Sequence, residues 1–298
     1  VDSVRGGGKV ISSNLSDAEY TAGNTILSFG SDGFTCGDGA SVNANGVTYA
    51  SWNWKAGTSF TNDASATGIG SIDSAGSFNN DSGFSIVSYT GTGSNGTIKH
   101  GLSTAPAMII FKERNGTSSW ITWHKDLTNN DYWLLLNSTA AQANGFSNLQ
   151  NVAPTSSVFS VGTGQGTNAS SATYIAYCFA EKKGYSKFGS YVGNGNVSGS
   201  YIHLGFSPAW LLVKSTAAND WILHDTKRNP HNVSNVILHP NASDADVTNT
   251  IYNLDILSNG FKTRTTHARL NGSGVTYIYM AFAENPFVTS TGVPATAR

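Results

Sequence analysis

Apolar residues alternate with polar or small ones along most of this chain, which is the period of a β-strand. No stretch carries the 3.6-residue period of an amphipathic helix. One alternating segment occurs three times: GVTYASWNWKAG from Gly46, SATYIAYCFAEK from Ser171 and GVTYIYMAFAEN from Gly274. One face of it reads Thr48, Ala50, Trp52, Trp54, then Thr173, Ile175, Tyr177, Phe179, then Thr276, Ile278, Met280, Phe282. That face is large and apolar and is expected in a core, with Trp54, Phe179 and Phe282 at equivalent buried sites. The other face runs from Tyr49 to Lys55, from Tyr174 to Ala180 and from Tyr277 to Ala283 and varies in polarity. Strands covered on both faces sit between packed layers.

Other strings recur as well. SYTGTG from Ser88 matches SYVGNG from Ser190, and APAMIIFK from Ala105 matches SPAWLLVK from Ser207. Asp2 to Arg5 answers Asp225 to Arg228, and Asn14 to Glu19 answers Asn241 to Asp246. A period of about 100 residues makes each unit domain-sized. The expected fold is all-β: tandem antiparallel β-sandwich repeats, jelly-roll or lectin-like, about two and a half units.

The expected boundaries are a partial first unit at 1–56, a linker at 57–82, full units at 83–182 and 184–286, and a tail at 287–298. The partial unit keeps the recurrent strand and lacks counterparts of residues 84–123. It would leave strand edges unpaired, so a neighbouring subunit or sequence outside this chain is expected to complete it, rather than the polar linker.

Composition narrows the function. Charged residues are only 12% of the chain while aromatics reach 11%, so the surface is Gly, Ser, Thr and Asn but cores can form. The profile fits an extracellular or virion protein. A formal net charge of −1 argues against nucleic acid as a partner. No apolar run approaches a membrane span, and the first five residues do not read as a signal peptide. Cys36 and Cys178 occupy non-equivalent places and are expected as free thiols.

Chemistry-bearing residues are sparse. Of the four glutamates, Glu19, Glu113, Glu181 and Glu284, the last two recur at a strand end, which suits structural bonds better than a glycosidase pair. His100 and His203 are expected at matching turns, each capping a carbonyl. His224, His231 and His239 fit no metal-ligand spacing, so no metal and no cofactor is expected. No nucleophile elbow or phosphate-cradling loop is present, and no catalytic residue is assigned. Asp2 with Arg5, and Asp225 with Arg228, read as turn-locking ion pairs. The candidate ligand-binding residues are Trp123, Tyr132 and Trp133, as sugar-stacking aromatics, and the loop residues Arg264 and His267.

The strings GFSIVSYTGTG, YIAYCFAE, SKFGSYVGNG, LSNGFK and TYIYMAFAENPF resemble a repeated domain of unknown function in marine bacteriophage virion proteins, of tail-fibre or lectin-like kind. The resemblance spans about residues 1–287. It implies a concanavalin-like β-sandwich on the surface of a virion, outside the cell. The expected function is a non-enzymatic tail fibre or capsid-attached fibre that acts as a host-surface adhesin, with avidity from several copies. Its expected partners are other virion subunits, as a homo-oligomer, and a host cell-surface glycan, with no nucleic acid and no membrane insertion. The alternative is a purely structural capsid or tail component without receptor binding. A glycan-degrading enzyme is the remote third reading.

Overall fold

A computed structural model describes residues 1–145 and 147–285; the expected tail at 287–298 lies outside the described residues. The chain is nearly all β, and its strand pairs are antiparallel except for one isolated parallel bridge between Ile72 and Ile98. Among the described residues helix is confined to short turns at Ala40–Asn43, Ala64–Thr67 and Thr250–Tyr252.

Two sheets organise the molecule. The larger has eight strands, with Thr173–Phe179 between Phe84–Thr90 and Met108–Glu113, and Ile121–His124 next to Met108–Glu113. The second has four strands in the matching order: Ser186–Val192, Thr276–Ala283, Pro208–Ser215, Ile222–Asp225. Small sheets cover the outer faces. Gly96–Lys99 pairs with Val158–Val161 over the first, and Tyr201–His203, Gly260–Thr263 and Leu254–Leu257 lie over the second.

The strict alternation of the two central strands builds three cores. On Thr173–Phe179, Tyr174, Ala176 and Cys178 turn outward into a cluster with Val87, Phe111, Trp123 and Phe159. On Thr276–Ala283, Tyr277, Tyr279 and Ala281 join Val213, Ile222 and Phe261. The opposite faces, Ile175 and Phe179 with Ile278, Met280 and Phe282, meet in one shared cluster between the sheets. Both faces of each central strand are thus covered, as the alternation predicts.

The same polar devices hold both outer cores. Tyr89 stacks on Tyr174 at 5.2 Å, and Tyr191 on Tyr277 at 4.9 Å. The Tyr89 hydroxyl donates to the Thr167 carbonyl and that of Tyr191 to the Leu270 carbonyl. Asn168 is fully buried. Its amide donates to the carbonyls of Ser94 at 2.6 Å and Gly162 at 2.7 Å, and its oxygen accepts from Thr92 N–H. Asn271 donates to the carbonyls of Asn196 and Thr265 and accepts from Asn194 N–H.

Two expectations need correction here. Residues 57–82 are no free linker: Thr58–Asn62 pairs with Ser74–Asn79, which pairs with Phe84–Thr90 and extends the large sheet. Its alternation is hidden because small residues fill the tight positions. A Cβ on Gly76 would collide with the Ile86 carbonyl. His203 is also not the counterpart of His100. The pairs Ile98–Phe159 and Ile202–Phe261 align His203 with Lys99. His100 is buried, with Nε2 3.1 Å from the Thr155 carbonyl, while His203 is exposed.

Replacing Asn168 or Asn271 by Ala removes three bonds from buried or half-buried backbone groups that water cannot reach freely. Each variant is expected to lose about 3 kcal/mol or more, and the two losses should be of similar size in urea unfolding. A loss under about 1 kcal/mol in either would contradict this account of the outer cores.

Candidate functional site, a charged junction beside an unpaired strand

The first 56 residues lie against both sheets, and their polar groups converge on the large one. Asp2 Oδ1 accepts the N–H groups of Val4 and Arg5, locking a turn that presents Arg5. Arg5 Nε donates to Asp2 Oδ2 at 2.5 Å and its Nη1 reaches Glu19 Oε2 at 3.1 Å. Arg5 Nη2 donates to the Tyr177 hydroxyl, which in turn donates to Asp2 Oδ2 at 2.7 Å. Arg114 grips Glu19 with two bonds, at 3.0 and 3.1 Å. The Arg5 side chain is 1% exposed, so its charge depends on these partners rather than on water.

Burial works against ionising these carboxyls, and the arginines overcome it. Burial alone would raise Asp2, but Arg5 and the Tyr177 hydroxyl hold it below the usual carboxylate range. Glu19 is likewise held low by Arg114 and Arg5 against the effect of burial. Both stay ionised, the state that suits a structural tie. At the other sheet, Asp225 Oδ1 accepts Lys227 and Arg228 N–H, and Arg228 Nε donates to Asp225 Oδ2 at 2.6 Å. There the guanidinium lies over the Trp52 ring, 5.9 Å from its centroid, and Nη1 is buried without a partner.

Further contacts tie the same surfaces. Trp120 Nε1 donates to the Ser12 carbonyl at 3.0 Å, and Trp221 Nε1 to the Leu135 carbonyl at 2.8 Å. Glu19 N–H donates to the Arg114 carbonyl, and Gln142 N–H to that of Thr216. Trp54 packs edge-on against Phe179, Trp210 and Phe282, at 6.0, 5.4 and 5.5 Å. Phe179 and Phe282 are buried and Trp54 is half-buried beside them.

The segment that carries Trp52 and Trp54 is unlike its two counterparts, because residues 47–55 pair with no strand. It nevertheless holds the same tyrosine lock. Tyr49 Oη donates to the Ala40 carbonyl and accepts Ala44 N–H; Tyr174 does this with Gln165 and Ala169, and Tyr277 with Ala268 and Gly272. Tyr174 and Tyr277 are fully buried, while Tyr49 is 45% exposed and has no ring stacked on it among the described residues.

The expected ligand residues do not gather. Trp123 is buried in the outer core of the large sheet and lines a hollow of ≈ 10 Å³, room for about one water. Neighbours on one strand, Tyr132 and Trp133 point to opposite faces, one to the shared core and one to the outer core. Period-two alternation separates them, so the three aromatics form no common stacking surface. Arg264 pairs with Asp255 at 3.3 Å, and His267 caps its own loop by accepting Arg269 N–H. Arg269 instead joins Asp220, Tyr252 and, through Tyr252, His239. Tyr20, Phe29, Tyr49 and Tyr201 are exposed aromatics, and the Tyr201 hydroxyl meets Asn259 and His203. Sequence reasoning passed over Tyr201, whose outward position on a two-faced strand was the available signal. Cys178 is buried and its thiol pushed up to about 12, so it is inert, and Cys36 is free and half-buried. Among the described residues no group of His, Cys, Asp and Glu could hold a metal, and no helix is long and apolar enough to cross a membrane.

Residues 1–286 match the family described as "Domain of unknown function (DUF7483)", and the chain belongs to it. No curated protein and no solved structure matches the chain.

Arg5→Ala removes the ionic partner of buried Asp2 and leaves Glu19 to Arg114 alone; it is expected to cost about 3–5 kcal/mol in chemical unfolding, with Arg5→Lys recovering only part of it. Acid should act in two stages. Burial holds His100 and His124 at about 4 and His224 at about 3, below the ordinary 6.5, so the unfolded chain binds more protons between those limits. Stability therefore falls as pH drops from about 6.5 toward 4; the lowered carboxyls of Asp2 and Glu19 add their loss below about 4. A melting temperature flat between pH 7 and 4.5 would contradict the buried neutral histidines.

Proposed function

We propose that this member of the family is a non-enzymatic scaffold of a virion, built from two and a half copies of one β-unit arranged as a three-lobed ring. The first lobe is the segment 1–56, the second is centred on Thr173–Phe179 and the third on Thr276–Ala283. Each lobe hands a contact to the next. The first reaches the second through Arg5, Glu19 and Ser12, and the second reaches the third through Leu135 and Gln142. The third returns to the first through Arg228 on Trp52.

One observation carries the structural reading over the adhesin reading: Trp123 is buried, and Tyr132 and Trp133 are half-buried on opposite faces, leaving no stacking platform among the expected residues. Residues 47–51, 53 and 55 are exposed and pair with no strand among the described residues. The virion setting is supported by the resemblance of the recurrent strings. The adhesin remains a second reading on one observation, the exposed Tyr201 with His203 and Asn259. Such a ring with neighbouring polar groups is the chemistry of weak sugar stacking.

Imaging of intact particles labelled against this chain is expected to place it within the capsid or tail wall. On a glycan array the purified chain is expected to bind nothing above background and to release no reducing ends. Glycan binding that Tyr201→Ala abolishes would replace the scaffold reading by the adhesin, and glycan cleavage would overturn both.

A further inference from the structure

We infer that the unpaired strand at 47–55 is a docking site for a β-segment with the chemistry of this chain's own residues 83–124. The inference rests on the three-lobed reading and deepens it. In the second lobe, Thr173–Phe179 has Phe84–Thr90 on one edge and Met108–Glu113 on the other. In the third, Thr276–Ala283 has Ser186–Val192 and Pro208–Ser215. The corresponding strand of the first lobe has neither, although its tyrosine lock and its two tryptophans are in place. From Thr48 to Trp54 its backbone N–H and C=O groups have no hydrogen bond among the described residues, a ready template for strand addition.

Partly satisfied groups around the strand specify the occupant. Among the described residues Tyr49 lacks the stacked ring that Tyr89 gives Tyr174 and Tyr191 gives Tyr277, so one incoming strand brings a tyrosine. Three equivalent turns close with N–H donors from Leu15 to Ser12, Ser138 to Leu135 and Ala242 to His239. The Ser12 and Leu135 carbonyls also accept an indole N–H, while that of His239 has no second donor among the described residues. Asn137 and Asn241 each accept the backbone N–H of a tryptophan, whereas Asn14 has no bond among the described residues. The other incoming strand is therefore followed by a tryptophan whose indole donates to His239 and whose N–H donates to Asn14. Charge completes the match. Glu19 is paired to Arg114, but Asp246, which aligns with Glu19, is exposed and has no ion pair among the described residues. The occupant carries a basic residue there. The continuity is with two established junctions of the same molecule, each already filled by such a segment.

The probe is a synthetic peptide of residues 83–124, added to the intact chain and followed by hydrogen exchange with mass spectrometry. Alone, the chain is expected to be monomeric by light scattering, with fast exchange across 48–55 and slow exchange across 173–179 and 276–283. The peptide is expected to slow 48–55 at least tenfold, while versions carrying Tyr89→Ala or Trp120→Ala slow it much less. Slow exchange in the free monomer, no response at millimolar peptide, or equal response to all three peptides overturns the inference. Protection that grows with chain concentration alongside dimer formation also overturns it, since the occupant is then a second copy. The Glu19 amide keeps the two readings apart: its rapid exchange would sink the three-lobed arrangement itself, whereas its protection confines a failure to the docking site.

Discussion

Burial of both faces of a strand is the constraint from which the rest of this structure follows. A sheet covered on one side can stop at two layers. Here Tyr174, Ala176 and Cys178 need an outer cover while Ile175, Tyr177 and Phe179 need an inner one. The outer need is local and is met by the nearby pair Gly96–Lys99 and Val158–Val161. The inner need is met by the four-stranded sheet, through Ile278, Met280 and Phe282, with Trp52 and Trp54 packed alongside. Aromatic contacts of this edge-on kind contribute on the order of 1 kcal/mol each beyond the area they bury. The shared core is therefore what makes one body out of several sheets.

The polar junctions follow from that arrangement. Bringing the first 56 residues against the large sheet buries Arg5, and a buried guanidinium is tolerable only with full pairing. Asp2, Glu19 and Tyr177 supply it, and Arg114 shares Glu19 from the solvent side. Such a network adds less to net stability than its count of bonds suggests, because desolvation offsets the attraction. Its larger effect is on register, since a shift of one residue would leave charges without partners. Where the network is thinner, at Arg228 over Trp52, an Nη1 group is orphaned and the neighbouring strand lacks both edges.

The sequence made the strands and their two faces legible, because alternation depends only on side-chain direction. It placed Phe179 and Phe282 inside and showed the recurrent turns of SYTGTG and SYVGNG. It did not show which surface each inner face meets, since burial pattern carries no partner label, and so the core between the two sheets was missed. Strands at 58–62 and 74–79 were hidden by Ser and Gly, which pair through backbone without an apolar signature. Trp123 read as a stacking platform because composition cannot tell a core tryptophan from an exposed one. His203 read as a partner of His100 through a similar local string, when strand register aligns it with Lys99. The tyrosine lock of Tyr49, Tyr174 and Tyr277 lay in plain view in the repeated strand, but its bonds run to residues five and nine positions earlier and emerge only from coordinates.

The central claim is that the first segment and the four-stranded sheet share one core, and a double-mutant cycle of Trp54→Ala and Phe282→Ala tests it most directly. Their rings are 5.5 Å apart and distant in sequence. Unfolding in urea is expected to give a coupling energy of about 1 kcal/mol or more. Additivity of the two losses within about 0.3 kcal/mol would mean that the rings do not meet, and the shared core would have to be abandoned.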